Sequence, residues 1–395
     1  MKNHHGRVWA IALVAALAGC APTPDGTGPG VAVEPSVPGV TSVSPSEPDA
    51  TLPIAAFADI NEDPVSDGVA AEFQAILSDM AGGGGMAATV MSPDGTWSGA
   101  AGKADGVRDV RVDDQFAIAS VTKSVVAAQV MQMVEAGELE LDDPADDHLP
   151  PHLDFDTNGA TIRHLLGMHS GIPDYWHALR ESLSTDRQRV WKTADMLELV
   201  PAERAPAGDD FEYTNTNYLL LELVIEQVRG RPVVDVLRDG VLSIDGIERL
   251  IYQPDEVPTE PMAMPYGEST AALKKGGGYL PSLASATAGP TTGAMASDSP
   301  SLARWWRAFC SGEIISQASL TEMSTFDDGY GLGLYDVAAP HARAVGHTGE
   351  DVGFVAWAGC LPEYGSVLVV LSNRVVEDIG AMARPLVDAA RSDRD

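Results

Sequence analysis

The chain has 395 residues, more than a typical single domain but within the size of one two-lobed enzyme. Hydrophobic residues make up 45% of it, too many for a disordered protein. Against 25 basic residues stand 57 acidic ones, a net charge of −32. That balance argues against a nucleic-acid binder, which needs a basic face, and against a polybasic patch for anionic lipid.

In chain order, Lys2 and Arg7 form a short positive region, with His4 and His5 as polar residues within it. An apolar run of about a dozen residues follows, too short to span a bilayer. It ends Leu17-Ala18-Gly19-Cys20, small residues before a cysteine, which resembles a bacterial lipobox. Residues 1–19 are therefore expected to be a lipoprotein signal peptide and Cys20 the lipidated residue. The other reading is an ordinary signal peptide with an incidental cysteine. Residues 20–62, rich in Pro, Gly, Ser and Thr up to about residue 52, are expected to form a flexible tether. The protein is then exported and anchored by its lipid at the outer face of the cell membrane. Removing Cys20 leaves Cys310 and Cys360 in an oxidising compartment, either bonded or as two buried thiols.

Residues 63–395 read as one folded domain. A helix is predicted over 64–80, stopped by the glycine run 82–85. Strands follow at 86–91 and 96–101, joined by a turn at 92–95. Residues 120–136 are apolar nearly all round, as in a helix buried inside a protein. From about 140 to 310 the chain reads as helical and loop-rich. Strand patterns return at 330–337, 342–347, 354–358 and 366–372, and a last helix at 376–391 is interrupted by Pro385. The fold class is α/β (α+β): an antiparallel sheet built from both chain ends, flanked by helices, with an inserted helical lobe.

Several site types are missing. The nearest approach to G-x-S-x-G is Gly267-Glu268-Ser269-Thr270-Ala271, and H-E-x-x-H does not occur, so neither an α/β-hydrolase elbow nor a hydrolytic zinc site is expected. His148 and His152 read as surface polar residues. What remains is Ser120-Val121-Thr122-Lys123, the one S-x-x-K. Three residues apart on a helix, the two side chains share a face, and a desolvated lysine can activate a serine. Placed after a strand-like 116–118, Ser120 sits at a helix N-terminus that favours developing negative charge. Tyr213-Thr214-Asn215 offers a phenol for proton transfer and an amide for holding a lysine. His347-Thr348-Gly349, read as a strand end, offers hydrogen bonds and close backbone approach.

These three motifs, in this order and spacing, resemble the penicillin-recognising serine hydrolases, in particular the class C β-lactamase and D-alanyl-D-alanine carboxypeptidase branch. Segments 139–144, 161–166, 169–172 and 330–334 resemble that family too, and the likeness runs over roughly 65–390. It implies Ser120 as the acylated nucleophile, Lys123 and Tyr213 sharing proton transfer, and Asn215 orienting lysine and substrate. It further implies that His347, Thr348 and Gly349 meet the substrate, and that the N–H groups of Ser120 and Glu350 form the oxyanion hole. No metal or cofactor is expected. The implied substrate is a D-alanyl peptide of peptidoglycan, with an ester or a β-lactam as alternatives. A non-catalytic penicillin or peptidoglycan sensor is the alternative outside enzymes.

Three departures stand out: Thr214 where serine is usual, Glu350 and Glu222. Glu350 follows the H-T-G motif, where an inward carboxylate repels a substrate carboxylate and an outward one leaves only its N–H. Arg343, four residues before His347, is either a compensating cation on the same strand face or solvent-facing. Glu222 stands where glycine is usual in the family.

Overall fold

The computed structural model describes residues 54–391, apart from 58, 184, 259–261, 266–271, 276–277, 282, 337–342, 352 and 377. Cys20, the expected signal peptide, most of the tether and Ser269 lie outside the described residues.

Long apolar runs near both chain ends make a six-stranded antiparallel sheet. Its order is Gly95–Gly102, Gly85–Ser92, Ser366–Ser372, Phe354–Leu361, Val345–Asp351, Tyr335–Asp336. Three of these strands, Gly85–Ser92, Phe354–Leu361 and Ser366–Ser372, are buried along their whole length because both faces of the sheet are covered. On the outer face, Val355, Trp357, Leu368 and Val370 pack with Phe73 and Leu77 of helix Asp67–Ala81 and with Leu386 and Val387 of helix Ile379–Arg391. On the inner face, Ala356, Ala358, Val369 and Leu371 join the larger core built around helix Thr122–Glu135. That helix buries Val125, Val126, Val130 and Met131, each contributing about 1.5–3 kcal/mol.

Helix Asp67–Ala81 starts where Ser66 accepts a hydrogen bond from the Val69 N–H. Helix Ile379–Arg391 runs on through Pro385, contrary to the predicted break. Pro385 lies on the exposed side, while Ala383, Leu386 and Val387 hold the helix by burial. Helix Ser299–Cys310, inside the predicted helical lobe, instead packs on the inner face of the sheet. Its last residue is disulfide-bonded to Cys360 of the sheet, with Cα atoms 6.6 Å apart. The tether also ends earlier than predicted: Phe57 is fully buried and the Asn61 N–H donates to Ser92 O.

Residues 330–334, predicted as strand, are looped. Ser124 Oγ donates to Gly333 O, and a Cβ at Gly333, where φ is 74°, falls 2.5 Å from the Ala127 Cβ. The chain is pressed onto the helix below and has no room for a pleat. The predicted strand at 116–118 shrinks to Phe116–Ala117. It belongs to a separate three-stranded sheet with Met295–Ser297 and Ile251–Tyr252.

Candidate active site

Ser120 lies in a 3-10 turn, Ala119–Val121, that leads directly into helix Thr122–Glu135. The turn is entered through Ala119 at φ 46°, a left-handed conformation costing an alanine about 1–2 kcal/mol. Such strain persists where surrounding packing dictates it. Here Gly293 and Gly349 press on the turn from two sides: a Cβ on Gly293 falls 3.4 Å from Ala119 C, and one on Gly349 falls 2.2 Å from Ile118 O. Half-buried Ser120 is thereby presented to a cleft that opens to solvent.

Lys123, one helical turn on, is fully buried. Its Nζ lies 3.1 Å from Ser120 Oγ, 2.7 Å from Asn215 Oδ1 and 2.7 Å from the backbone oxygen of Thr292. Burial lowers the amine to about 7, opposed by the negative charge of Asp174. A neutral amine has two N–H groups and one lone pair. Asn215 Oδ1 and Thr292 O can only accept, so they take both N–H groups, and the lone pair is left facing the Ser120 hydroxyl.

Tyr213 is half-buried, with aromatic rings and Lys123 around it. It stacks on Tyr335 at 6.2 Å, meets Tyr330 edge-on at 6.1 Å, and has Lys123 Nζ 5.1 Å from its ring centre. Burial and Tyr335 push its phenol well above the ordinary value, against a hydrogen bond with Ser120. At neutral pH Tyr213 therefore holds its proton and is an acid, whereas Lys123 is available as a base.

Asn215 is fixed from behind. Its Nδ2 donates to Asp174 Oδ2 at 2.8 Å, and a carboxylate accepts only, so the amide oxygen must point at Lys123. Asp174 is held in turn by the Trp176 N–H, which donates to its Oδ1 at 3.0 Å. Sequence reasoning passed over Asp174, although it lies two residues beyond the family-like 169–172 segment. Nothing in the sequence marks the Thr292 carbonyl.

The H-T-G motif lies in mid-strand, not at a strand end. His347 is buried, 1% exposed, and is not among the residues lining the cleft. Its Nδ1–H donates to Thr348 O, leaving Nε2 to accept from the Tyr330 hydroxyl at 3.4 Å. Burial and the nearby Lys123 lower it to about 3, so it is neutral. The structure thus places His347 behind Tyr213, at 6.5 Å between rings. Thr348 is likewise buried.

Strand alternation resolves the question at Glu350. Gly349 pairs with Ala356 of the inner core, whereas Glu350 pairs with Val355 of the outer one. Paired residues share a face, so the Glu350 side chain turns outward from the strand, although the residue still borders the cleft. Burial still raises its carboxyl above the ordinary value. Asp351, paired with Phe354 of the inner core, is the inward carboxylate. Arg343 faces Asp336 at 3.8 Å and the Phe326 ring, and does not line the cleft as a compensating cation. The cleft walls include Trp176, Gln253, Met262 and Ala286. Among the described residues there is no cluster of His, Cys, Asp and Glu suited to a metal ion, and no helix long and apolar enough to cross a membrane.

A buried lysine against a serine at a helix start, with a phenol and an asparagine beside it and a cleft next to an antiparallel sheet, is the arrangement that the three sequence motifs led one to expect. The Beta-lactamase family profile matches residues 72–391, and the chain belongs to that family. It is 26% identical over 292 residues to penicillin-binding protein 4* of Bacillus subtilis (strain 168), covering 68% of this chain and 62% of that one. It is 31% identical over 142 residues to the D-aminopeptidase of Brucella anthropi, covering 35% and 26%. The chain thus spans less than two thirds of the length of either relative. The D-amino acid amidase from Ochrobactrum anthropi SV3 has the same fold, with TM-score 0.72 and 23% identity over 83% of this chain and 100% of that one.

Proposed function

We propose that the protein is a lipid-anchored serine acyl-hydrolase that works through an acyl-enzyme on Ser120. The observation that carries this reading is the environment of Lys123. Its amine has its two N–H groups engaged, its lone pair aimed at the Ser120 hydroxyl 3.1 Å away, and a pKa of about 7. As Ser120 Oγ bonds to the substrate carbonyl carbon, its proton passes to Lys123 Nζ. The carbonyl oxygen gains negative charge, and the family likeness assigns the backbone N–H groups of Ser120 and Glu350 to receive it. Tyr213 gives its proton to the leaving nitrogen or oxygen as that bond breaks, and Lys123 returns a proton to Tyr213. Water then attacks the ester by the same route in reverse, with Ser120 as the leaving group.

The motif set favours a D-alanyl peptide of peptidoglycan as acyl donor. One observation favours a second reading, an amide or ester without a terminal carboxylate. Asp351 is the inward side chain at the end of the substrate-facing strand, and no Arg or Lys is among the described residues lining the cleft. The name of the D-amino acid amidase with the same fold supports the same choice. Anchoring rests on Leu17-Ala18-Gly19-Cys20, with the mature protein at the outer face of the membrane.

The test is to treat the protein with a fluorescent penicillin and an activated ester, map the label by mass, and follow turnover. Label on Ser120, lost in Ser120→Ala, with continuing release of product, is expected. Label elsewhere sinks the assignment, and one acylation with no turnover of any ester, amide or D-alanyl peptide makes the protein a sensor. Comparing D-alanyl-D-alanine with a D-amino acid amide decides the acyl donor. Cys20→Ser should move the protein out of the membrane fraction.

A further inference from the structure

Lys123 has to be both desolvated and close enough to neutral pH to exchange a proton. Full burial alone drives a lysine down by several units, sometimes to 5–6. Something must hold it up. The groups facing it are the rings of Tyr213 and Tyr218 at 5.1 and 5.6 Å, neutral His347 on the strand, and Asn215 with Asp174 behind it. On the remaining side is the Thr292 carbonyl, whose neighbour Thr291 bonds to buried Glu222. Among these, the tyrosines hold their protons and His347 is uncharged. Asp174 is the group whose charge acts on Lys123 through a single bridging amide.

We propose that Asp174 is a positioning residue for the acylation step: its carboxylate fixes the Asn215 amide with its oxygen toward Lys123 and supplies negative charge that keeps the amine competent near neutral pH. Both carboxylate oxygens are committed, Oδ2 to Asn215 Nδ2 and Oδ1 to the Trp176 N–H, so the charge cannot swing away. Loss of the charge does two things. The lysine falls further, and the amide is free to turn its NH2 toward the amine, where two donors meet. At an effective dielectric of about 20 and a separation of about 6 Å, the charge is worth about one to two pH units on Lys123.

This proposal rests on Lys123 acting as the base, yet its first test does not depend on activity. The chain has six lysines, so a 13C label at lysine Cε gives few signals, and Lys123→Met assigns the one required. In the full chain, Lys123 should titrate near neutrality, and Asp174→Asn should lower its midpoint by about one to two pH units. Asp174→Glu, which keeps the charge, should hold the midpoint in place and covers the case in which the asparagine variant does not fold. An unmoved midpoint in Asp174→Asn, or an equal fall in Asp174→Glu, overturns the proposal. The acid limb of kcat/KM for an ester should move with the midpoint. If the midpoint shifts and the limb does not, the role of Lys123 as base is wrong and that of Asp174 in setting its charge stands.

Discussion

Gly349→Ala is a single methyl group placed where the sheet meets the nucleophile turn. A Cβ at this position falls 2.2 Å from Ile118 O, 3.1 Å from Ile118 C and 3.1 Å from the Ala119 Cβ. The Ile118 oxygen is backbone at the entrance to the turn and cannot rotate aside like a side chain. Ordinary contact needs the strand or the turn to retreat by about 1 Å, and a shift of that size at a reacting centre costs about 100-fold. Overpacking of this kind also destabilises by about 1–3 kcal/mol. The expected result is a folded protein melting a few degrees lower, with kcat/KM for a chromogenic ester down by about two orders of magnitude. Circular dichroism and a melting curve establish the fold, and single-turnover mass spectrometry of Ser120 acylation places the loss on the chemical step. Acylation within twofold of wild type would show that strand and turn adjust independently, and the reasoning about Gly349 would be wrong.

Tyr213→Phe removes a phenol hydrogen-bonded to Ser120 and should lower ester hydrolysis by about 100- to 10,000-fold while leaving the melting temperature near wild type; a loss below tenfold would give the acid role to another group. With Lys123 at about 7, kcat/KM should rise with pH through 7 and level off above it, since the deprotonated amine is the base; a limb rising only above pH 9 would count against an activated lysine. Burial raises Glu222 to about 7 from an ordinary 4.5, so above pH 4.5 the unfolded chain releases a proton that the folded one retains, and folding is penalised increasingly up to about pH 7. Glu222→Gln should therefore gain stability over wild type between pH 5 and 8, by at most about 3 kcal/mol, and gain nothing at pH 4; a constant difference across that range refutes the titration. Cys310→Ala should cost about 2–5 kcal/mol in the oxidised protein and little in the reduced one, read from denaturant melts with and without a reductant.

What could be read from sequence was whatever chemistry sits within one element or one turn. Ser120 and Lys123 are three residues apart, and helical geometry puts them on one face whatever surrounds them. Tyr213 and Asn215 are local to each other, and the alternating or continuous apolar runs announced the strands at both chain ends. Tertiary structure alone decided how these pieces charge and orient one another. Lys123 becomes a base because Asn215, 92 residues away, and the backbone of Thr292, 169 away, enclose it; a carbonyl has no signature in sequence. Asp174 acts through Asn215 across 41 residues, and no periodicity links them. His347 looked like a substrate contact because its type and motif suit one, but the rings of Tyr330 and Tyr335 cover it, while strand alternation turns Glu350 out and Asp351 in. The physical reason is common to all of them. Helical spacing depends on near neighbours in the chain, whereas desolvation, strand register and the direction of a hydrogen bond depend on what the fold brings from far away.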